Sequence, residues 1–202
     1  MEGYTESMSR LIDELGKLPG VGKKSAERLA YHILRVPKDD AMALAIAIRD
    51  VKRNIKPCST CFNIADTDPC AICSDPRRDH GLICVVEEPK DVIVLEKSGA
   101  YKGTYHVLMG AVSPLDGHDP DALTIQALVE RVQRGGVREV ILATNPTHEG
   151  EETALCVAQA LEPTGVAVTR IARGVPSGSY LEYASPAILS DAMAGRQKLA
   201  KD

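Results

Sequence analysis

The sequence predicts a multi-domain α+β protein, with a helical N-terminal domain, a four-cysteine metal knuckle, an α/β domain with a mainly parallel sheet and a C-terminal helix. Three observations predict this class. Apolar residues before residue 56 recur at spacings of three and four, four of the six cysteines fall within 58–73, and helix and strand patterns alternate after residue 80. The 202 residues suffice for more than one domain. We place the domains at 1–56, 57–79, 80–175 and 176–202.

Two amphipathic helices are predicted at the start of the chain. The first has Ser9 as a candidate cap and ends at Pro19 and Gly20, and the second follows Gly22. Their apolar positions are Met8, Leu11, Ile12, Leu15 and Leu18, then Ala26, Leu29, Ala30, Ile33 and Leu34. These stripes predict a tight helical hairpin with Val21 as an apolar plug in its turn.

The turn of this hairpin has the chemistry of a phosphate-binding site. Gly20 and Gly22 let the backbone approach another chain closely and leave N–H groups free at the start of the second helix. Lys23, Lys24 and Arg28 follow, where they can neutralise phosphates without reading a base. The arrangement resembles the helix-hairpin-helix motif of DNA-binding proteins. The alternative is a plain helical hairpin whose lysines are solvated.

A third helix is predicted after the hairpin, with Asp39 or Asp40 as its cap. Its expected buried positions are Leu44, Ala45, Ile48, Val51 and Ile55. Cations occupy its outer face and its C-terminal end, where the helix dipole favours positive charge: Arg49, Lys52, Arg53 and Lys56.

Two Cys-x-x-Cys pairs form the metal knuckle. Cys58 and Cys61 make the first pair, and Cys70 and Cys73 make the second after eight intervening residues. Four thiolates at this spacing complete the tetrahedral shell that Zn²⁺ accepts, so we predict a closed structural zinc site. The alternatives are two disulfides, which the missing secretory signal disfavours, and unliganded core cysteines.

The rest of the chain predicts an α/β domain with a largely parallel sheet. The expected strands are 82–86, 105–109, 140–143 and 166–171. The expected helices are 91–97, 125–133 and 151–161, followed by a last helix capped by Ser185 and Pro186. Residues 75–81 are expected to be a polar linker, and Cys84 is expected in the core.

Carboxylates follow two of these strands. Because ligands of open α/β sheets bind at the carboxyl ends of strands, this edge is a candidate site. Its members are Glu87, Asp91, Glu149 and Glu151. Such carboxylates repel one another, and Mg²⁺ commonly holds them together. The alternative is that Glu149 and Glu151 only favour a helix N-terminus.

These turns resemble the Toprim fold of topoisomerases and primases. Val85-Val86-Glu87 with Asp91 matches the glutamate element of that fold, but Asn145 and Thr147 stand where the family pattern has two aspartates. Both candidate ligands are therefore neutral, which lowers the expected affinity for Mg²⁺ and weakens the case for two-metal phosphoryl chemistry.

The order of the three motifs resembles the bacterial recombination mediators of the RecR family. The resemblance covers nearly the whole chain, including the segments 99–117 and 169–178. It implies a non-catalytic protein of recombinational DNA repair that works with RecO or RecF to load RecA on gapped or single-stranded DNA. It also implies a homotetrameric ring with contacts near both chain ends. It assigns DNA contacts to Lys23, Lys24 and Arg28, zinc ligands to the four knuckle cysteines, and a partner-binding edge to Glu87, Asp91 and Glu149.

Composition narrows the function further. Residues 1–56 hold eleven Lys/Arg against eight Asp/Glu, and the remainder holds thirteen against twenty, so only the front is basic. Without Trp and with Phe62 as the single Phe, base stacking should be limited and the DNA backbone should be the target. We expect no signal peptide, no membrane span and a cytoplasmic, nucleoid-associated location. The alternatives are a Mg²⁺-dependent Toprim nuclease and a redox switch in the knuckle.

Overall fold

The computed structural model describes residues 3–113 and 119–198. Residues 114–117 of the segment 99–117, and residues 199–202 of the predicted C-terminal domain, lie outside these ranges. The chain forms two compact units, Met1–Ile55 and Lys56–Asp202. No helix in the described ranges has the length and apolarity needed to cross a bilayer.

The N-terminal unit contains three helices: α1 (Glu6–Gly16), α2 (Lys23–Arg35) and α3 (Lys38–Asn54). The predicted caps of α1 and α3 are both wrong. Thr5 precedes α1 in place of Ser9, and Pro37 precedes α3 in place of Asp39 or Asp40. The fixed φ of proline suits a helix start, and the two aspartates favour the first turn through the dipole.

The core of this unit lies between α1 and α2. Ile12, Ala26 and Ala30 are buried, and Val21 packs against them as the predicted plug. The small alanines let the two helices approach closely.

The prediction of a buried face on α3 is wrong. Leu44, Ile48 and Val51 are each at least half exposed, and no residue of α3 is buried. The apolar periodicity is real, but nothing in the described chain covers it. A helical periodicity of apolar residues indicates that one face of the helix is suited to burial, but it does not indicate what buries that face.

The second unit begins with the knuckle, which contains β1 (Lys56–Pro57), β2 (Ile64–Ala65) and the single-turn α4 (Ala71–Ser74). A four-stranded parallel sheet follows, built from β3 (Asp79–Val86), β4 (Gly103–Val107), β5 (Glu139–Leu142) and β6 (Ala167–Arg170) in the order β4-β3-β5-β6. Its helices are α5 (Pro89–Ser98), α6 (Ile125–Gln133) and α7 (His148–Leu161), and α8 (Pro186–Ala194) lies near the end.

Each predicted strand differs from the observed one in at least one bound; β5 and β6 differ by one residue at each end, and β3 and β4 differ more. β3 starts at Asp79, inside the expected linker, because Asp79 pairs with Gly103 before an irregularity in the register. β4 ends at Val107, and Met109 follows with a φ of 68°. That left-handed conformation cannot continue a strand, so the chain turns there.

Helices cover both faces of the sheet. The larger core joins β3 and β5 to α6 and α7, with Ile83, Leu128 and Val157 fully buried. The smaller core joins β3 and β4 to Val92 of α5 and contains Cys84, which confirms Cys84 as a core residue.

Candidate functional site

The four knuckle cysteines converge on one point. Their Sγ atoms all lie within 4.8 Å of one another, and Cys58, Cys61 and Cys70 are almost fully buried. The Cys61 and Cys70 sulfurs are 3.6 Å apart, close to the ~3.8 Å that a tetrahedral shell with Zn–S bonds of about 2.3 Å requires. The donor set therefore fits Zn²⁺.

Backbone N–H groups support the sulfurs. Cys70 N lies 3.3 Å from Cys58 Sγ, and Cys73 N lies 3.5 Å from Cys70 Sγ. The hydrogen bond with Cys73 lowers the pKa of the Cys61 thiol to about 6, and the same bond raises the pKa of Cys73. A second thiolate beside the first is thus disfavoured, and a dication is what lets all four cysteines ionise together.

The knuckle is attached to the free edge of the sheet. β4 is an edge strand, and its Val107 N–H donates to the Cys61 carbonyl at 2.8 Å. Phe62, held at a φ of 61°, meets the His106 ring edge to face at 5.3 Å between ring centres. The residue that supplies this carbonyl is itself a zinc ligand, so the metal site is bonded directly to the sheet through the backbone.

Arg131 of α6 also joins the knuckle to β4. Its guanidinium donates to the Tyr105 carbonyl at 2.6 Å, to Thr104 Oγ1 at 2.9 Å and to the Thr60 carbonyl at 3.5 Å. The sequence does not mark this residue, because a cation within an amphipathic helix has the pattern of an exposed one.

The linker after the knuckle is also fixed by charge. Arg78 forms a two-pronged ion pair with Glu96 of α5, and Tyr105 Oη donates to the same carboxylate at 2.7 Å. The hydrogen bond from Arg78, followed by that from Tyr105, lowers the pKa of Glu96. No local signal marks this triad, since Tyr105 and Arg78 are 9 and 18 residues from Glu96 in the chain.

At the carboxyl edge of the sheet, Glu87 is paired with Asn145. One oxygen of the Glu87 carboxylate accepts from the Asn145 backbone N–H at 2.7 Å, and the other accepts from Asn145 Nδ2 at 2.5 Å. Glu87 is only 7% exposed. One residue, Asn145, therefore holds both oxygens of the buried carboxylate.

The other acidic residues of the edge have separate environments. Asp91 completes a capping box with Glu88 at the start of α5, and Glu151 pairs with Arg170 and Arg173. Glu149 is exposed. In the chain as described, the only group of three or more metal-ligating side chains is the four-cysteine cluster, so the predicted carboxylates do not form such a group.

The turn between α1 and α2 is open to a ligand. Gly20 has a φ of 77°, and a Cβ added at Gly20 or Gly22 would meet nothing within 4 Å. Gly22 precedes α2 and has no side chain to cap its first N–H groups. These donors are left for an external acceptor such as phosphate.

Lys23, Lys24 and Arg28 are exposed on α2. The ion pairs found between described residues include none of these three cations. They differ in this respect from Lys17 and Arg49 of the same unit, which pair with Glu14 and Asp50. The hairpin therefore presents unneutralised positive charge beside free N–H groups.

Comparison with known families matches three consecutive parts of the chain. The RecR helix-hairpin-helix model matches residues 8–52, the RecR zinc finger model, a four-cysteine type, matches residues 55–75, and the Toprim domain model matches residues 81–172. The fold and its sites thus define a modular protein that combines a helix-hairpin-helix module, a structural four-cysteine zinc finger and a Toprim domain.

Curated relatives narrow this class to one family. The chain is 53% identical to the recombination protein RecR of Rhodopirellula baltica, 55% identical to that of Koribacter versatilis and 52% identical to that of Geobacter sulfurreducens. Each alignment spans 98% of this chain and the full length of the relative. The chain belongs to the RecR family of recombination proteins.

Proposed function

We propose that this chain is a non-catalytic, DNA-binding recombination mediator. It acts in the cytoplasm at the nucleoid, forms a ring-shaped clamp and, with RecO or RecF, helps to load RecA on gapped or single-stranded DNA. Membership of the RecR family supports the role in recombination.

The pairing of Glu87 with Asn145 is the observation that carries the non-catalytic part. Two-metal phosphoryl transfer needs anionic ligands that bridge or face the ions. Here the carboxylate next to the strand end is held by neutral donors from Asn145. The neighbouring Thr147 uses its hydroxyl to cap α7 through the Gly150 N–H. These interactions favour a structural or partner-binding edge over a nuclease centre.

The unneutralised hairpin supports sequence-independent DNA binding. The free N–H groups at the start of α2 and the side chains of Lys23, Lys24 and Arg28 suit phosphate oxygens. None of these groups reads a base edge by itself. Several copies of such a weak site in one ring bind DNA tightly through multivalency.

Exposed apolar surfaces near both chain ends support assembly. In the first unit this surface is the α3 stripe, formed by Leu44, Ile48 and Val51. In the second unit it comprises four side chains that are each at least two-thirds exposed: Tyr180, Leu181, Tyr183 and Met193. Surfaces of this kind commonly mark interfaces. The mass in solution, measured by light scattering with and without DNA, tests this part: a tetramer supports the ring, and a monomer at cellular concentration contradicts it.

The binding experiment uses the double variant Lys23→Ala with Arg28→Ala. Anisotropy titrations with single-stranded, gapped and duplex DNA of two unrelated sequences should show weaker binding in every case. Each lost phosphate contact should reduce the slope of log K against log salt by about 0.7 on single strands and about 0.9 on duplex. Arg49→Ala is the matched control because it removes one charge that Asp50 already pairs. Unchanged binding by the double variant would mean that the hairpin is only structural.

The catalytic experiment incubates the protein with labelled single-stranded and gapped DNA in Mg²⁺ or Mn²⁺. We expect no cleavage. Cleavage that disappears in Glu87→Ala would contradict the mediator and support the Toprim nuclease. The corresponding positive result is that the protein, together with RecO or RecF, stimulates RecA filament growth on gapped DNA. RecO or RecF without the protein should give no such stimulation.

A further inference from the structure

The exposed face of α2 forms a groove beyond the hairpin turn. It has a volume of about 530 Å³ and is lined by Lys24, Glu27, Arg28, Tyr31, His32 and Arg35. Lys24, Arg28 and Arg35 lie within a narrow sector of the helix because successive residues are ~100° apart. The groove therefore continues the cationic surface of the hairpin along two further turns of α2.

The charge of this groove is not compensated. Arg35, like Lys24 and Arg28, is absent from the ion pairs of the described chain. Glu27 is the one carboxylate among the lining residues, against three permanent cations. In contrast, Arg77, Arg78, Arg138, Arg170 and Arg173 of the second unit are all paired with carboxylates. The three cations of the groove are thus available to an anionic ligand.

The spacing of the cations suits a polyanion. Lys24 and Arg28 are one turn apart, or ~6 Å along the axis, and Arg35 lies ~10 Å further. A single phosphate would need only one of these positions. Three cations in a row can instead bind several phosphates of one polyanion.

Tyr31 gives the groove an aromatic border. Its side chain is 41% exposed and lines both the cationic groove and an apolar groove of about 580 Å³. The second groove is lined chiefly by apolar side chains, among them Tyr4, Met8, Leu11, Leu34 and Val36. A phosphate track beside an aromatic ring and an apolar cleft fits a ligand that carries charge on one side and flat apolar rings on the other.

Single-stranded DNA has this character, whereas duplex DNA hides the faces of its bases. We propose that the α2 groove is a single-strand binding track, in which Lys24, Arg28 and Arg35 hold phosphates of one strand and the Tyr31 ring stacks on a base turned toward the apolar cleft. This inference rests on the proposed DNA-binding function and adds Arg35 and Tyr31, which the hairpin does not require.

The test measures binding of a fluorescent oligothymidylate and of a blunt duplex to the full chain over a series of salt concentrations. Arg35→Ala should weaken oligothymidylate binding and lower its salt slope by about 0.7, while Arg49→Ala should change neither. Tyr31→Leu should lower affinity for the single strand about fivefold or more, the range found when a stacking ring is lost, with duplex binding unchanged. Tyr31→Phe should retain wild-type binding.

Three results would overturn the track. The first is that Arg35→Ala and Arg49→Ala change the affinity for oligothymidylate equally. The second is that Tyr31→Leu loses as much affinity for the duplex as for the single strand. The third is a changed oligomeric mass of Tyr31→Leu, which would assign the apolar cleft to a second copy of the chain. Circular dichroism of each variant checks that α2 still folds. If Lys23→Ala with Arg28→Ala binds normally, the DNA-binding function itself fails. If only the Arg35 and Tyr31 variants bind normally, the hairpin function stands and the track fails.

Discussion

Asn145 holds both carboxylate oxygens of Glu87, one through its backbone N–H and the other through its side-chain amide. The backbone bond would form with any residue at position 145 that has an N–H, but the side-chain bond requires a donor. An aspartate there, as in the Toprim pattern, would place a second carboxylate against that of Glu87, which is itself nearly buried. The identity of residue 145 therefore decides whether this edge is stable as it stands or depends on a cation.

Asn145→Asp should test this directly. We expect the substitution to destabilise the protein by about 1–3 kcal/mol at neutral pH, because it replaces a hydrogen bond to a buried carboxylate with like-charge repulsion. Millimolar Mg²⁺ should raise the melting temperature of the variant and leave that of the wild type unchanged. Glu149→Gln, on the exposed part of the edge, is the control for general effects of Mg²⁺. A variant as stable as the wild type would contradict the argument.

Gly150→Ala should disturb the Glu87–Asn145 pair by steric collision. A Cβ at position 150 would collide with the Asn145 carbonyl and lie 2.9 Å from Glu87 Oε1. Because backbone must move to admit it, we expect a loss of about 1–3 kcal/mol in urea unfolding. Gly16→Ala is the matched control, since its Cβ would meet only the Ala26 Cβ at 3.9 Å. Equal stability of the two variants would show that the α7 start is more pliable than its contacts indicate.

Cys58→Ala or Cys70→Ala should abolish zinc binding and unfold the knuckle. Structural zinc in small sites contributes on the order of 10 kcal/mol, and three ligands cannot close the shell. Zinc content, measured by release to a chromogenic chelator, should fall to background. Cys156→Ala removes a half-buried cysteine outside the cluster and should keep its zinc. A Cys58 variant that stays folded without zinc would contradict the structural role of the metal.

Glu96→Gln should flatten the acid limb of the stability curve. The pKa of Glu96 is lowered in the folded state by Arg78 and Tyr105. Its contribution is therefore present above the unfolded-state pKa of about 4.3 and is lost as pH falls through the lowered folded-state pKa. We expect the variant to be less stable by about 1 kcal/mol at pH 7 and equal to the wild type near pH 2. Urea unfolding across this range measures it, and a constant difference at all pH values would contradict the assignment.

Local patterns predict much of this fold. The apolar spacing defines the helix at Ile125–Gln133 to the residue, and the two Cys-x-x-Cys pairs predict the sulfur cluster without any structure. Such features depend on residues that are close together in the chain. The predicted resemblance to the RecR family is also confirmed. It could be predicted because the order of motifs is a property of the sequence alone.

Features that depend on distant partners could not be read in this way. The sequence places Glu87 and Asn145 at the same edge, but only the fold shows the Asn145 amide bonded to the Glu87 carboxylate. Arg131 has the pattern of a surface cation and yet bonds to the carbonyls of Thr60 and Tyr105. The α3 stripe has the opposite problem: its apolar face is evident, but no described residue covers it.

The bond from Val107 N–H to the Cys61 carbonyl has a further consequence for how the protein fails. β4 is an outer strand, and uncovered outer strands pair with strands of other molecules and initiate aggregation. The knuckle covers part of this strand, and zinc keeps the knuckle folded. Metal-stripped protein should therefore precipitate with time and concentration even where its sheet remains folded, so the ion that closes the knuckle also protects the solubility of the domain beside it.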